Sequence, residues 1–515
     1  MALPQPGTPW PPPEWATIFD KYAEWQAWWE GDPDRLTRQY SGRASVVRPS
    51  QYAGGIVGTL SRMFWGRPPS PGTTTSKLHL PVPSDLTNVA AEQVYASPPD
   101  LTSDNAGTQE RLDAYVEDGL WATLLEGAES GSAFGGRFQT VTRDSRVRGG
   151  RAFLTTVHAD QAIPEFVWGE LVAVTFVWTL PTDSPGYTVL RHLERHELDP
   201  LGNGVIKHTL YQGTADNIGR VVPLTNHPAT EYLKDSLLGD GETVDLPRTP
   251  GLWTAYIPNI RPQRAWRSHP AGRYLGRSDF HSIEPWFDEI DHAYSEWVND
   301  IDLSRGRLII DEAFLDVSPD VGGGTAFNTE RRIFTPIGGT SASDASMKEV
   351  QFSMRVADLS ATIDHFTAKV IQSAGWSQAT FGEHDGDTDI TATEVRAREK
   401  RTLTKRGKRI GEEQGPVVAL LGKMLDLDGH PGDGADVEVS WADSVTPDAK
   451  ELAETVQALR VAGAASVYRR VQIVNPDWTD GQVAEETRRI MIEDSVASPS
   501  AAWEPTVLVP AGDED

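Results

Sequence analysis

The stretch HSIEPWFDEIDHAYSEWVNDID, residues 281–302, decides how the rest of the chain is read. Ile283, Phe287, Ile290, Tyr294, Trp297 and Ile301 recur every third or fourth position, which is the period of a helix with one packing face. The remaining positions hold seven carboxylates (Glu284, Asp288, Glu289, Asp291, Glu296, Asp300 and Asp302) and no Lys or Arg. A second segment with the same spacing follows, through Val356, Leu359, Ile363, Phe366 and Val370. Two such helices around a compact insertion predict a hairpin that lines something. An acidic lining repels polyanions and would let DNA pass without adhering.

The composition bounds the reading. A chain of 515 residues is long enough for several cores, and its formal charge is −27. That balance disfavours general adhesion to nucleic acid, because affinity for phosphates comes from Lys and Arg. Cysteine is absent, which excludes disulfides and thiolate chemistry. The Pro-rich start, residues 1–13, lacks the basic and apolar regions of a signal peptide. No run approaches the roughly eighteen apolar residues of a membrane span. Seventeen Trp supply large packing surfaces.

Outward from the hairpin, the pattern predicts an α+β chain. Trp15, Ile18, Phe19, Tyr22, Trp25 and Trp29 mark an aromatic helix stopped at Gly31-Asp32-Pro33. Residues 66–87 read as an extended loop. Leu112 to Leu125 outline another helix, ending at Gly127 or Gly131. Strands follow at Arg137–Thr142, Leu171–Leu180, Tyr187–Leu193 and Val205–Tyr211, an antiparallel module. Pro258, Pro262 and Pro270 break any long element before the acidic helix at 280–303. The insertion 304–352 carries strands at Arg307–Ile310 and Arg332–Phe334; a helix spans 355–373, and a Gly/Asp-rich loop runs from Gly375 to Asp389. A long helix spans Thr391 to Leu427, and the tail from Pro447 to Asp494 is helical with breaks at Gly463 and Asn475-Pro476. The last residues read as disordered.

Motifs of catalysis and ligation fail on inspection. Asp385-Gly-Asp387-Thr-Asp389 opens like a calcium loop, but Ile390 and Arg396 stand where Gly and Glu are required. Neither Gly407-Lys408 nor Gly422-Lys423 continues into a phosphate loop, and no nucleophile elbow, zinc-protease or dinucleotide signature occurs. Ser130 and Ser132 lie near glycines without the neighbours of a nucleophile. His192, His196 and His208 read as polar positions of an exposed sheet face. No metal, cofactor or enzymatic activity is expected.

One run opposes the overall charge. Arg396, Arg398, Lys400, Arg401, Lys405, Arg406, Lys408 and Arg409 give eight positive charges against Glu399. Two readings stay open: a solvated helical face bridged to acidic neighbours, or a basic patch meeting DNA phosphates or an acidic partner.

In the order of its elements the chain resembles the portal proteins of tailed double-stranded DNA bacteriophages, of the long-tailed (siphophage) type. The patterns that carry this are the Trp15–Trp29 helix with Gly31-Asp32, Leu78-His-Leu-Pro-Val-Pro-Ser-Asp85, Ser132-Ala-Phe-Gly-Gly-Arg-Phe138, Ala162-Ile-Pro-Glu-Phe166, and Gly276-Arg-Ser-Asp279 leading into Ile283, Asp291, Tyr294 and Asn299-Asp300-Ile301. Together they span residues 14–495. Before the long helix the family often shows Ser-Gly, where this chain has Asp387-Thr-Asp-Ile390.

The resemblance implies a portal architecture. After the N-terminal arm (1–13), residues 14–275 would form a β-containing wing, to which 391–445 return. Residues 276–303 and 353–373 would be the two stem helices and 304–352 an α/β clip. Residues 374–390 would be a tunnel loop, 446–495 a helical crown, and 496–515 a flexible tail. It implies a homo-oligomeric ring, a dodecamer, at one capsid vertex of the virion, assembled in the host cytoplasm. Double-stranded DNA would be packaged and ejected through its channel. The terminase large subunit and later a head-tail adaptor would dock on it, with major capsid and scaffold proteins around it and no membrane. Carried onto this sequence, the stem channel residues would be Glu284, Asp288, Asp291, Glu296 and Asp300. The tunnel loop would present Gln378, Glu383, His384, Asp385, Asp387 and Asp389, and the clip Asp311, Glu312, Phe314, Arg331 and Arg332. The alternatives are another capsid or tail structural protein and, further off, an acidic soluble hydrolase using paired carboxylates.

Overall fold

A computed structural model gives the fold and describes residues 3–40, 77–182, 188–303, 307–309, 348–350, 355–382, 392–441, 449–475, 478 and 480–497. By contacts the chain divides into two compact units, Met1–His384 with Glu399–Ala442, and Asp385–Arg398 with Asp443–Asp515. The chain is mixed α and β, as its sequence predicts.

The first unit opens with α1 (Ala16–Glu30) and α2 (Pro33–Gln39). Trp15, Tyr22, Trp25 and Trp28 face a shared core with Phe134, Trp266, Phe280 and Phe287. Aromatic rings meet there at 5.5–5.9 Å, the tilted and edge-on contacts that ring quadrupoles favour. Residues 82–87, expected in a loop, belong instead to α3 (Val82–Tyr95), which takes Pro83 into its first turn, where a missing N–H costs nothing.

The expected single helix at Leu112–Leu125 is two, α4 (Ala106–Glu117) and α5 (Leu120–Phe134), parted where Gly119 takes a φ of 90°. Gly127 does not end α5. A Cβ there would lie 2.3 Å from Gln139 Nε2 and 2.8 Å from Arg137 Cδ, so the glycine admits side chains from the adjoining strand.

Two antiparallel sheets follow. The first has the order β3-β2-β9, from β2 (Gly136–Arg143), β3 (Ala152–His158) and β9 (Thr254–Pro258). The second runs β4-β5-β6-β7-β8, from β4 (Ala162–Val167), β5 (Glu170–Leu180), β6 (Val189–Leu198), β7 (Gly204–Gly213) and β8 (Arg220–Val222). β1 (Asp100–Thr102) pairs with β12 (Glu438–Ser440). The Pro-rich arm is not free: Gly7 N donates to Gly219 O at 2.7 Å, and Tyr211 Oη to Pro4 O at 2.8 Å.

The hairpin predicted from the sequence is present. Helix α6 (Glu284–Leu303) runs antiparallel to α7 (Val356–Ala374), with Trp286 5.5 Å from Phe366 near one end and Arg355 paired with Asp300 near the other. Between them β10 (Arg307–Ile309) pairs with β11 (Lys348–Val350). The long helix is α8 (Ala392–Leu427). The second unit contains α9 (Ala449–Val461), α10 (Val467–Val474) and α11 (Asp480–Ala497). Among the described residues no helix is long and apolar enough to cross a membrane.

The histidines correct one expectation. His192, Glu194 and His196 alternate onto one face of β6, and His208 of β7 sits opposite Glu194, but this face is covered. His192 stacks between Trp178 at 5.3 Å and His208 at 5.1 Å, and His196 lies edge-on to Phe176. Among the described residues no group of three or more His, Cys, Asp or Glu could hold a metal. Burial, with His208 beside it, pulls His192 down from its ordinary 6.5 to about 4, and burial lowers His208 as well. Burial pushes Glu194 up, but the His196 hydrogen bond and the nearby imidazoles outweigh it and bring the carboxyl to about 2.

The consequence is acid lability. A histidine whose folded pKa is depressed binds its proton first in the unfolded chain, so stability falls as pH drops from 6.5 toward about 4. For His192 the loss is roughly 3 kcal/mol. Glu194 adds a loss as pH drops from 4.5 toward about 2. His192→Phe keeps the stack and removes one titration. Its melting temperature should fall less than the wild type's between pH 7.5 and pH 4.5, measured by thermal unfolding.

Candidate functional site

The candidate site is the helical hairpin and the charged base that holds it. At its root, Gly276-Arg-Ser-Asp279 passes against the end of α5. A Cβ on Gly276 would lie 2.0 Å from Gly135 O, so only glycine fits. Asp279 N donates to Ser132 O at 2.9 Å. The Asp279 carboxylate accepts from Ser132 Oγ at 2.8 Å, Asn259 Nδ2 at 3.0 Å and Lys405 Nζ at 2.8 Å.

Lys405 ties this root to the other end of the hairpin. Its ammonium also donates to Ala374 O, the last residue of α7, at 2.8 Å, and lies 3.9 Å from the centre of the buried Trp376 ring. One turn further along α8, Arg409 donates to Ala90 O at 2.7 Å and Ala128 O at 3.2 Å. One more turn on, Glu413 is held by both guanidinium nitrogens of Arg137, at 2.8 and 2.7 Å, and by Tyr95 Oη at 2.8 Å. Burial pulls Lys405 down to about 7, although Asp279 opposes the shift. Burial pushes Asp279 up, but Lys405 and Arg409 outweigh it and hold the carboxyl below its usual range.

The basic run is therefore divided. Lys405 and Arg409 are buried in this knot, and Arg406 is buried with Nε donating to Gln93 O, a carbonyl in the last turn of α3, at 2.7 Å. These three do not form an outward basic patch. Lys400, Arg401 and Lys408 are exposed, and the side chains of Arg396 and Arg398 lie outside the described residues.

The stem carboxylates are likewise corrected. Glu284, Asp288 and Asp291 face inward, onto the chain's own N-terminal segments. Glu284 accepts from Trp25 Nε1 at 2.8 Å and pairs with Lys21 at 2.7 Å. Asp288 pairs with Lys77. Asp291, buried, accepts from Tyr40 Oη at 3.0 Å and Leu80 N at 2.8 Å, with His79 Nδ1 at 2.8 Å. The strap 77–80 thus lies along α6, joined again where Leu78 N donates to Ser295 Oγ at 2.9 Å. Glu296 and Asp300 lie further out, both beside Arg355, the residue that precedes α7.

The segment after α7 is only partly a loop. Gly375 caps the helix with a φ of 95°, Trp376 is fully buried, and Gln378–Phe381 form a 3-10 turn. Thr402 of α8 clasps this segment, accepting from Ser377 N at 3.0 Å and lying 2.7 Å from Thr380 Oγ1. Of the expected tunnel-loop residues Gln378 is in this packed part. Glu383, His384, Asp385, Asp387 and Asp389 lie outside the described residues, as do Asp311, Glu312, Phe314, Arg331 and Arg332.

Sequence reasoning missed Asp279, Glu413, Arg137 and Tyr95 as a unit. The available signal was the spacing of Lys405, Arg409 and Glu413, which places two cations and a carboxylate on one face of a helix. Removing one partner of a buried pair strands the other, at a cost of about 3–5 kcal/mol. Lys405→Met should cost about that much in denaturant unfolding. Adding Asp279→Asn should recover at least half, because the carboxylate stranded by the first change is then neutral.

No family model matches the sequence, and no curated protein does. Solved structures are similar to it at low identity. A chain of the neck of a native gene transfer agent (GTA) particle, computed with C12 symmetry, aligns over 82% of this chain and 93% of its own at 15% identity, with a TM-score of 0.41. A chain of the neck of an empty GTA particle, computed with C6 symmetry, aligns over 85% and 94% at 14% identity, TM-score 0.42. A chain of the virion of the native particle aligns over 81% and 99% at 14% identity, TM-score 0.41. A likeness this distant assigns no residue a role.

Proposed function

We propose that this chain is the subunit of a portal ring, a passive conduit for double-stranded DNA at one vertex of a phage-like capsid. The observation that carries the reading is the hairpin of α6 and α7. Its base is fixed by buried charges and aromatics, while its far half presents apolar side chains to solvent in the single chain. Among the described residues there, Val298 is 44% exposed and Val356 41%. Exposed valines on the outer half of an amphipathic hairpin call for neighbours, and copies arranged around an axis supply them.

In such a ring the acidic positions would act by not gripping. Glu296 on α6 and Asp358 and Asp364 on α7 remain toward the surface once the inward carboxylates are set aside. Duplex DNA carries one negative charge per roughly 1.7 Å of axis, so a cationic wall would bind it and an acidic one would not. The residues after Gly382 would form the loop that meets passing DNA, and the insertion between β10 and β11 the docking site for the terminase motor and the later adaptor. The ring would perform no chemistry of its own.

Two outcomes are expected. Val298→Glu with Ile301→Glu should leave a folded monomer, with unchanged circular dichroism, that no longer assembles in light scattering; assembly at the wild-type concentration contradicts the reading. Deleting residues 384–389, which spares Trp376 and the clasp to Thr402, should leave rings intact and depress DNA packaging. Wild-type packaging by that deletion would remove the loop from the mechanism.

A further inference from the structure

Between β9 and α6 the chain reads RPQRAWRSHPAGRYLGR, residues 261–277: five arginines and no carboxylate, in a sequence with 74 Asp and Glu against 47 Lys and Arg. The segment is folded on itself, with His269 N donating to Trp266 O at 2.8 Å, Arg273 N to His269 O at 3.1 Å and Leu275 N to Gly272 O at 3.1 Å. Trp266 pins it to α1, 5.9 Å from Tyr22 and 5.8 Å from Trp25. Arg261, Arg264, Arg267 and Arg273 are exposed. Among the described residues, the one carboxylate within 4.0 Å of any of these four is Glu412, 3.9 Å from Arg261. Arginines so thinly matched by acids among the described residues of so acidic a chain point to an acid supplied from outside.

The strand order places this loop. Tyr274 packs at the β4 edge of the five-stranded sheet, 5.9 Å from Phe166, and Gly169 of the β4–β5 turn faces the same ring. In that turn Trp168 is 93% exposed. At the opposite edge, residues 242–244 run along β7 in continuation of β8: Val244 N donates to Ile206 O at 2.9 Å, and His208 N to Glu242 O at 2.9 Å. The surrounding segment 231–245 carries Glu231, Asp235, Asp240, Glu242 and Asp245 against Lys234, all exposed, with Tyr232 and Leu238 also at the surface. Four inter-strand steps put the two edges roughly 19 Å apart.

We infer that these edges are the two halves of one head-to-tail contact, in which the arginine loop and Trp168 of one copy dock on segment 231–245 of a second copy of this chain. The inference rests on the ring reading above, because a contact between unlike surfaces closes into a ring when its rotation allows. Opposite charge across the contact sets its register and offsets repulsion between copies that each carry −27. An exposed Trp beside arginines has the composition of an interface anchor. A cleft of about 790 Å³ beside the loop, lined by Phe166, Leu171, Leu252, Arg261 and Pro416 among others, receives the apolar part of the acidic edge.

The absence of native cysteine makes the test direct. Arg267→Cys and Asp235→Cys are introduced singly and together, and the ring fraction is treated with a short bismaleimide. The double variant should give a covalent ladder of multimers, and each single variant only monomers on a denaturing gel. Dimers from a single variant would mean a contact between like surfaces and overturn the inference. Rings whose double variant does not cross-link would place the interface elsewhere, leaving the ring reading intact. Arg264→Glu with Arg267→Glu should raise the concentration needed for assembly about tenfold. Asp235→Arg with Glu242→Arg should restore it. If the glutamate variant assembles normally but loses binding to duplex DNA, the arginines serve nucleic acid and the inference fails. Absence of rings from the wild type would defeat the ring reading itself, and the inference with it.

Discussion

The structure depends on one row of buried charges along α8. Ions leave water only where partners wait, because an unpaired buried charge costs several kcal/mol. Lys405, Arg409 and Glu413 occupy successive turns, and their partners come from five other places: Asp279 before α6, Ala374 at the end of α7, the carbonyls of Ala90 in α3 and Ala128 in α5, and Arg137 of β2. Such a network tolerates few alternative packings. It ties both roots of the hairpin to one lysine, so the hairpin stands in a fixed relation to the body of its unit.

The elements were legible in the sequence; their partners were not. The stripes of Ile283, Phe287 and Ile290 and of Ile363 and Val370 marked the helical faces that are buried. The bounds of α6, α7 and α8 fall within a few residues of the reading, because apolar period and capping glycine are local signals. What failed was the meaning of charge. Asp291 and Lys405 look in sequence like solvated residues, and each is buried among donors or acceptors contributed from more than a hundred residues away or from across the fold. A polar residue with an internal partner and one facing water have the same letter. The histidines of β6 and β7 failed for the same reason: alternation gave a common face, but not that this face is buried. Gly127 was read as one of two possible stops because the crowding that requires it comes from β2.

These corrections narrow the functional reading without changing its direction. With three of the acidic stem residues turned inward, repulsion of DNA falls to fewer carboxylates, nearer the outer half of the hairpin. There, among the described residues, Val298 and Val356 stand exposed. The same half that needs neighbours is the half that would bound a channel. The arginine loop and the acidic edge add a second, electrostatic reason for copies to associate in a fixed order.

The most direct measurement is electron microscopy of the purified chain in negative stain across a range of concentrations. The account predicts closed rings of uniform size with a central hole wide enough for duplex DNA, and hairpins projecting along the axis in side views. Monomers at every concentration, or open tubes and shells in place of closed rings, would contradict it.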